Sequence, residues 1–219
     1  MARVDLHLHT EYSPDSVSGL QAVDRRAQRV GLTHLAVTDH NTIAGALRMK
    51  EVASLPVIVG EEIMTARGEM IGLFLSELVP PGMSPHKTAE MIHQQGGLVY
   101  VPHPLDPLRH GLGEAGVREL GPAIDVIEVF NARCVRASSN AAAARLADLL
   151  PVARSAASDA HSLFEIGRSY VEGPDFSDAP GLKRCLQQGL MHARRSPAAI
   201  HLLSRYAAIR HRLRSAGPP

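Results

Sequence analysis

The chain has few cysteines, few aromatic residues and no long apolar run. Its two cysteines, Cys134 and Cys185, have the spacing of neither a metal-binding motif nor a disulfide framework. We therefore interpret both as ordinary reduced residues of a reducing compartment. The 219 residues contain no run of 18 apolar residues, and the N-terminus lacks the apolar stretch of a secretory signal. These absences predict a cytoplasmic protein with no membrane partner.

Charge is distributed unevenly along the chain. Residues 190–219 contain six arginines and no acidic residue, which leaves 17 basic and 22 acidic residues in the rest. This asymmetry predicts an acidic body that attracts cations and a basic C-terminal segment. The apolar positions of residues 200–213 have helical spacing, so we expect a helix packed on the body. A single aromatic residue, Tyr206, lies among these arginines, which gives little support for stacking on nucleic-acid bases.

Short β-rich segments alternate with helical segments. The predicted strands lie near residues 4–9, 35–38, 57–60, 70–75, 98–102, 126–130 and 152–157. The predicted helices cover residues 18–30, 42–53, 85–95, 138–150 and 178–188. With 45% hydrophobic residues the chain can bury the core of one domain. The alternation predicts an α/β fold of mostly parallel strands linked by helices.

Histidine is abundant, with 12 residues in 219, more than twice the roughly 2% of ordinary chains. Polar ligand-type residues follow or end most of the predicted strands: His7 and His9, Asp39 and His40, Glu61 and Glu62, His103, Glu128 and Asn131, Asp159 and His161. In a closed β/α barrel the carboxyl ends of the strands converge on one site. Imidazole and carboxylate ligands suit zinc, manganese or iron. The pattern therefore predicts a metal site at this end of the barrel.

The first of these pairs follows strand geometry. A strand over residues 4–9 would place His7 and His9 on one face and the leucines at 6 and 8 on the other. The remaining histidines lie outside the pattern and are assigned surface or capping roles: His34, His86, His93, His192, His201 and His211. His110, beside Arg109 in a predicted loop, is left open.

Five spaced motifs carry a family resemblance. They are Asp5-Leu6-His7-Leu8-His9-Thr10 with Tyr12-Ser13-Pro14-Asp15, Thr38-Asp39-His40-Asn41, Gly60-Glu61-Glu62, Pro102-His103-Pro104 and Ser158-Asp159-Ala160-His161. In this order they resemble the polymerase and histidinol phosphatase (PHP) superfamily over roughly residues 1–172. The tail from Arg194 is similar to the C-terminal extension of short, stand-alone members. The resemblance implies a distorted seven-stranded (β/α)7 barrel over residues 1–190, with residues 191–219 as a basic helical extension on the same domain.

The resemblance also implies two or three divalent cations. Carried over residue by residue, the ligands of one cation are His7, His9, Glu62 and Asp159, those of another are Asp15, His40 and His161, and Glu62 and His103 complete a further, bridged position. Glu62 is preferred to Glu61 because the family glutamate usually stands two residues beyond this glycine. Glu69 occupies a hairpin position where several relatives place a histidine, and it is either a metal ligand or an acidic rim residue.

The activity that follows is a metal-dependent phosphoesterase acting on a small phosphorylated metabolite or nucleotide. Water activated by the cations would attack phosphorus. Asp159 is the candidate to orient this water, with His161 or His40 near the leaving group. Arg133, and behind it Arg168 and Arg109, are candidates for bidentate phosphate recognition, with surface ion pairs as the alternative.

Three other functions use the same residues differently. A nuclease-type phosphodiesterase would act on short oligonucleotides, and an amidohydrolase-like enzyme would hydrolyse a C–N bond. The three lysines, Lys50, Lys87 and Lys183, all lie in predicted helices, so none is placed to bridge metals as a carboxylated lysine. A non-catalytic metal-binding or nucleic-acid-binding module is the third, and the complete ligand set argues against it.

Overall fold

The computed structural model describes residues 1–215, which form an almost closed, barrel-like sheet with helices packed around it. The strands are β1 (Ala2–Asp5), β2 (His34–Val37), β3 (Val57–Met64), β4 (Glu69–Leu73), β5 (Leu98–Val101), β6 (Val126–Asn131), β7 (Ala153–Ala157), β8 (Ser169–Gly173) and β9 (Leu190–Ala193). The helices are α1 (Leu20–Arg29), α2 (Ala44–Val52), α3 (Pro85–Gln94), α4 (Gly113–Leu120), α5 (Ala137–Ala147), α6 (Ala179–Gln188) and α7 (Ile200–Ser215), with a 3-10 turn at Gly121–Ala123.

The sheet has the order β7-β6-β5-β4-β3-β2-β1-β8-β9. Strands β1 to β3 are parallel to one another, as are β5 to β7, whereas β4 is antiparallel to both of its neighbours. The gap between β1 and β7 is bridged just beyond their carboxyl ends, where the amide of His9 donates to the carbonyl of Ala160 at 2.8 Å. Leu8 and Ala160 form an isolated parallel bridge at the same place. These contacts bring the segments that follow β1 and β7 together.

The α/β class is confirmed, but the seven-strand count is wrong. All seven predicted strands are present, and β8 and β9 add two more to the described sheet. Both are antiparallel additions beyond β1, and β9 is largely exposed, so its sequence lacks the apolar alternation that marks a strand. Helix α4 was also not predicted. Two glycines in its eight residues weaken its helical signal.

Two apolar clusters hold the strands in place. One is formed by strand residues such as Val4, Ile58 and Tyr100, and includes Leu182 of α6. The other joins the sheet to the surrounding helices, with Met49 among its fully buried members. These two clusters fill the inside of the sheet and the space between the sheet and the helices with apolar side chains. The polar residues lie beyond the strand ends, where the strands of a barrel bring them together at one end.

The first strand is shorter than predicted. Strand β1 ends at Asp5, whose Oδ1 accepts hydrogen bonds from the amides of His7 at 3.5 Å and Ser158 at 3.0 Å. Beyond it the strict alternation fails: Leu6 packs with the first cluster and Leu8 with the second. The leucines therefore do not share a face, although both imidazoles still point into the same site.

The C-terminal segment returns to the body of the protein. A helix is present at Ile200–Ser215, and its residues Ile200 and Ala207 are buried. The basic character of this helix remains a prediction, because the side chains of residues 210–215 and of His201 lie outside those that the structure describes. No helix within residues 1–215 combines the length and the apolar character that a membrane crossing requires.

Candidate metal centre

All nine predicted metal ligands lie at one end of the barrel. They form four overlapping groups, and within each group one potential ligand atom from every residue lies within 4.8 Å of those from the others. The groups are His9, Asp15, His40 and His161; His7, Glu62 and His103; His7, His9 and Asp159; and His40, Glu62 and Glu69. Segments distant in sequence supply them, as the strand-end pattern predicts. Their role as ligands stays a prediction that this convergence supports.

Glu62 lies at the centre of the cluster. Its Oε1 is 3.4 Å from His7 Nε2 and 3.1 Å from His103 Nε2, and its Oε2 is 3.3 Å from His9 Nε2 and 3.1 Å from His40 Nδ1. The carboxylate is buried, which by itself raises its pKa, but the surrounding imidazoles outweigh burial and hold the pKa well below the ordinary value. Glu62 is therefore an anion placed among four nitrogen ligands.

Gly60 sets the direction in which Glu62 points. At this residue β3 changes partner, since Val59 still pairs with β2 whereas Gly60 pairs with β4. A Cβ at Gly60 would lie 2.9 Å from Thr38 Cγ2 and 3.1 Å from the carbonyl oxygen of Gly72, so only glycine fits without displacement. The side chain of the neighbouring Glu61 makes a different contact: its Oε2 accepts a hydrogen bond from the amide of Val79 at 3.0 Å.

Asp159 forms a second buried anion. Its Oδ1 lies 3.7 Å from His7 Nε2 and 3.6 Å from His9 Nε2, and it has no hydrogen-bond partner. Its Oδ2 accepts Asn131 Nδ2 at 2.9 Å and forms an ion pair with Arg109. Burial raises the pKa of this carboxyl, but Arg109 and the imidazoles outweigh it and hold the pKa well below the ordinary value.

The group formed by His9, Asp15, His40 and His161 is more open than the others. His161 Nε2 lies 3.0 Å from Asp15 Oδ2, and His40 Nε2 lies 3.5 Å from the same oxygen. The side chains of His40 and Asp15 are 23% and 29% exposed, so this cluster faces the entrance. Burial lowers the pKa of His40, but the carboxylates of Glu62 and Asp15 prevail and raise it to about 9.

Glu69 begins β4 and approaches the cluster from its edge. Its Oε2 is 3.7 Å from His103 Nε2, and it shares a group with His40 and Glu62. Burial and the nearby carboxylate of Glu62 raise the pKa of Glu69. The position allows both roles considered from the sequence, metal ligand and acidic rim residue.

The donor set fits divalent cations. The Nδ1 atoms of His7 and His9 contact Glu128 and Ser13 at 3.2 and 3.1 Å, while their Nε2 atoms face each other at 3.2 Å. Metal-binding histidines are typically oriented in this way, with the second ring nitrogen held by the protein. The unpartnered Asp159 Oδ1 beside the two Nε2 atoms is a buried oxygen that a cation would satisfy.

The electrostatic surroundings of His9 support the same interpretation. Burial and the neighbouring imidazoles of His161 and His40 lower the pKa of His9 to about 3, so this ring is neutral at neutral pH. A neutral imidazole is the form that binds metal. In addition, His103 and Asp159 have positive φ angles of 29° and 52°. Such backbone strain in non-glycine residues costs about 1–3 kcal/mol each and is typical of functional sites.

Glu128 organises the site from beneath, a role that its position in the sequence did not reveal. The carboxylate contacts His7 and accepts hydrogen bonds from Tyr100 OH at 2.7 Å, from the His103 amide at 2.7 Å and from Asn131 Nδ2 at 2.9 Å. Asn131 in turn donates to Asp159. Glu128 thus connects three candidate ligands. The sequence placed it near a strand end but gave no signal for these partners, which come from the segment after β1, from β5 and the segment after it, and from β6.

Replacing Glu128 by glutamine should weaken metal binding. The amide cannot accept from all of these donors, so His7 and His103 lose their orientation. We expect the affinity for Mn²⁺ or Zn²⁺ to fall about 10–100-fold, measured by competition with a chelating dye. Glu119→Gln, at a side chain 51% exposed, is the control. Equal affinities for the two variants would contradict the role assigned to Glu128.

A cavity of about 280 Å³ opens onto the cluster. Its lining residues are Asp15, His40, Glu62, Glu69, Leu108, Arg109, His110, Arg133 and His161. Two of the three predicted phosphate-binding arginines are therefore present. The third, Arg168, is not among the lining residues and lies just before β8, where its carbonyl accepts the amide of Arg194. His110, which the sequence left open, belongs to the cavity.

The histidines outside the strand-end pattern have ordinary surroundings where they are described. His34 is buried against Phe176, His93 pairs with Asp125 at 2.8 Å, and His192 stacks on Tyr170. His86 is largely exposed. The side chains of His201 and His211 lie outside the described residues.

Two family models match the chain. The PHP domain model matches residues 5–101, and the PHP-associated model matches residues 137–182. Two uncharacterized proteins of Methanocaldococcus jannaschii are similar in sequence. One is 42% identical over 143 residues, 59% of this chain and 82% of that protein. The other is 33% identical over 174 residues, 78% of this chain and 70% of that protein.

Solved structures share the fold at low sequence identity. A protein from Bifidobacterium adolescentis, assigned as a metal-dependent phosphoesterase, has a TM-score of 0.62 at 17% identity and aligns with 85% of this chain and 96% of its own. The lesion-specific endonuclease Q from Pyrococcus furiosus has a TM-score of 0.59 at 14% identity, over 85% of this chain and 56% of its own. An amidohydrolase from Chromobacterium violaceum has a TM-score of 0.57 at 17% identity, over 93% of this chain and 96% of its own.

Proposed function

The chain belongs to the PHP domain family, and from this membership we propose that it is a metal-dependent phosphoesterase acting on a small phosphorylated metabolite or nucleotide. The observation that carries the proposal is a single cavity lined both by candidate metal ligands and by two arginines, Arg109 and Arg133. Cations and guanidinium groups together match the charge of a phosphate ester.

The nine candidate ligands are proposed to bind two or three cations, for which zinc, manganese and iron are the candidates. His7, His9, Glu62 and Asp159 would hold one. Asp15, His40 and His161 would hold another, and Glu62 and His103, with Glu69 beside them, a further one. When bound, the cations supply Lewis acidity that activates water and offsets the negative charge of phosphate.

Asp159 is the residue proposed to orient the attacking water. Its pKa lies well below the ordinary value, so the group is ionised at neutral pH and can orient the water by accepting a hydrogen bond from it. His161 and His40 line the cavity and are proposed to contact the oxygen of the leaving group.

Arg133 and Arg109 are proposed to bind the non-bridging phosphate oxygens. Arg133 is 4% exposed and lies 3.4 Å from Glu165, so it is not a surface ion pair. Arg109 lines the same cavity and is ion-paired with Asp159. Arg168 does not line the cavity and takes no part in the proposal.

The competing hydrolase classes need other residues or a larger site. An amidohydrolase-like enzyme with a carboxylated lysine would need a lysine among the metal ligands. None of the three lysines lies there: Lys87 pairs with Glu90, Lys183 pairs with Asp125 and Lys50 lies on α2. This disfavours an amidohydrolase-like reaction. The cavity volume of about 280 Å³ favours a small substrate over an oligonucleotide.

The test is an assay of the purified protein, supplied with Mn²⁺, Zn²⁺ or Fe²⁺. The substrates are a generic phosphate monoester, a phosphate diester, a nucleotide panel, a short oligonucleotide and an amide. We expect release of phosphate from the monoester or from a nucleotide, and loss of that release in His9→Ala, since His9 belongs to two of the four clusters. No release with any metal, or equal release by both proteins, would overturn the proposal.

A further inference from the structure

We propose that Ser204, in the C-terminal segment, positions the guanidinium of Arg133 for phosphate, and that Arg195 and Ser196 of the same segment hold the loop that carries Arg133. The inference rests on the proposed function, since it assumes that Arg133 binds substrate. It assigns to this segment a role beyond packing on the barrel. Residues after 182 lie outside both family matches, so neither match assigns a role to this segment.

The first support is the set of contacts around Arg133. Its Nη2 donates to Ser204 Oγ at 2.6 Å, its Nη1 donates to the carbonyl of Asp159 at 3.4 Å, and its Nε lies 3.4 Å from Glu165 Oε1. A guanidinium has five N–H donors in a planar fork. Three contacts leave donors available, and the residue lines the cavity.

The second support is that the same segment also holds the loop carrying Arg133. The amide of Ser196 donates to the carbonyl of Ala132 at 2.8 Å, immediately before Arg133. Arg195 Nη2 donates to the carbonyl of Cys134 at 3.1 Å and also to that of Val135. The backbone on both sides of Arg133 is therefore bound by the C-terminal segment.

The third support is the packing of α7. Ile200 and Ala207 are buried at 7% and 2% exposure, one turn before and about one turn after Ser204. Residues at this spacing share one helix face, so the face that carries Ser204 is the one that packs on the body. Ser204 is thus held in place by its neighbours and can in turn fix a long, flexible side chain.

The chemistry of a hydroxyl suits this task. Glu165 already offers a negative charge to Arg133, and a second carboxylate would compete with phosphate for the guanidinium. A serine accepts one N–H without adding charge, so it restricts the rotamers of Arg133 and leaves the cation able to bind an anion. An arginine ordered before substrate arrives loses less entropy on binding.

The test compares Ser204→Ala with Arg205→Ala in the full chain. Arg205 is exposed on the same helix and adjacent in sequence. For the phosphate ester that the wild type hydrolyses, we expect Ser204→Ala to raise KM about fivefold, as loss of one such hydrogen bond allows, with kcat within about twofold. Arg205→Ala should leave both unchanged. The thermal midpoints of all three proteins should agree.

A double-mutant cycle separates positioning from a general structural effect. In an Arg133→Met background, Ser204→Ala should raise KM no further, because the group that it positions is gone. The same fivefold rise in that background would overturn the inference, as would an unchanged KM in the single variant.

If the wild type hydrolyses none of the esters, the proposed function fails first. Calorimetry with inorganic phosphate then tests the inference alone: equal affinity of wild type and Ser204→Ala would overturn it, and about fivefold weaker binding to the variant would support it.

Discussion

Replacing Asp159 by asparagine should lower kcat/KM by about a thousandfold, within the range typical of the loss of a positioned acid or base. The substitution preserves the shape of the side chain but removes its charge. The unpartnered Oδ1 beside His7 and His9 would no longer be anionic, and Arg109 would lose its buried counter-ion. Both the orientation of water and the binding of a cation depend on that charge.

The measurement is steady-state hydrolysis of the best phosphate ester by Asp159→Asn, with Asp175→Asn as its control. Asp175 has a side chain that is 76% exposed, so the same chemical change there should leave kcat/KM within about twofold, as expected for a surface substitution. Activity of Asp159→Asn within tenfold of the wild type would show that Asp159 neither orients water nor holds a required cation.

Replacing Glu62 by glutamine should remove at least one equivalent of bound metal. Glu62 is shared by two of the four clusters and contacts the rings of His7, His9, His40 and His103. A neutral amide in this position offers one weak oxygen ligand in place of two anionic oxygens. Loss of one shared ligand therefore affects two positions, and hydrolysis should fall with the metal content.

The neighbouring residue provides a matched control. Glu61 is also buried, and burial raises the pKa of its carboxyl to about 7, although the amide of Val79 donates to it. Glutamine at position 61 resembles the neutral acid and can still accept that hydrogen bond. Elemental analysis should find the wild-type metal content in Glu61→Gln. A loss of metal in Glu61→Gln, with full content in Glu62→Gln, would reverse the assignment.

The convergence of the site could be predicted because strand ends meet. His7, His40, His103 and His161 are far apart in sequence, yet each follows a strand of the same barrel, and the topology brings them together. The pairing of His7 and His9 was predicted from a strand that reaches His9, but the convergence itself did not need β1 to extend so far. It required only that the chain continue past Asp5 toward the site, and the bridge between Leu8 and Ala160 provides this.

The supporting interactions could not be predicted in the same way. The four contacts of Glu128 involve three side chains and the backbone amide of His103, and no sequence spacing encodes their relative orientation. The contact of Ser204 with Arg133 joins residues 71 positions apart. Strands β8 and β9 were also not predicted. The exposed β9 follows no apolar alternation, and the buried positions of β8 are Ser169, Val171 and Gly173, of which Val171 alone is typical of strands. The sequence predicts which groups meet when backbone periodicity positions them, and it fails where tertiary packing decides.

The most direct test of the account is anomalous diffraction from crystals grown with Mn²⁺ and measured near the manganese edge. We expect at least two anomalous peaks within the cluster, one among His7, His9, Glu62 and Asp159 and another against Asp15, His40 and His161. Crystals of the manganese-loaded protein with no anomalous peak among these residues, or with peaks only elsewhere on the chain, would contradict the proposed metal centre.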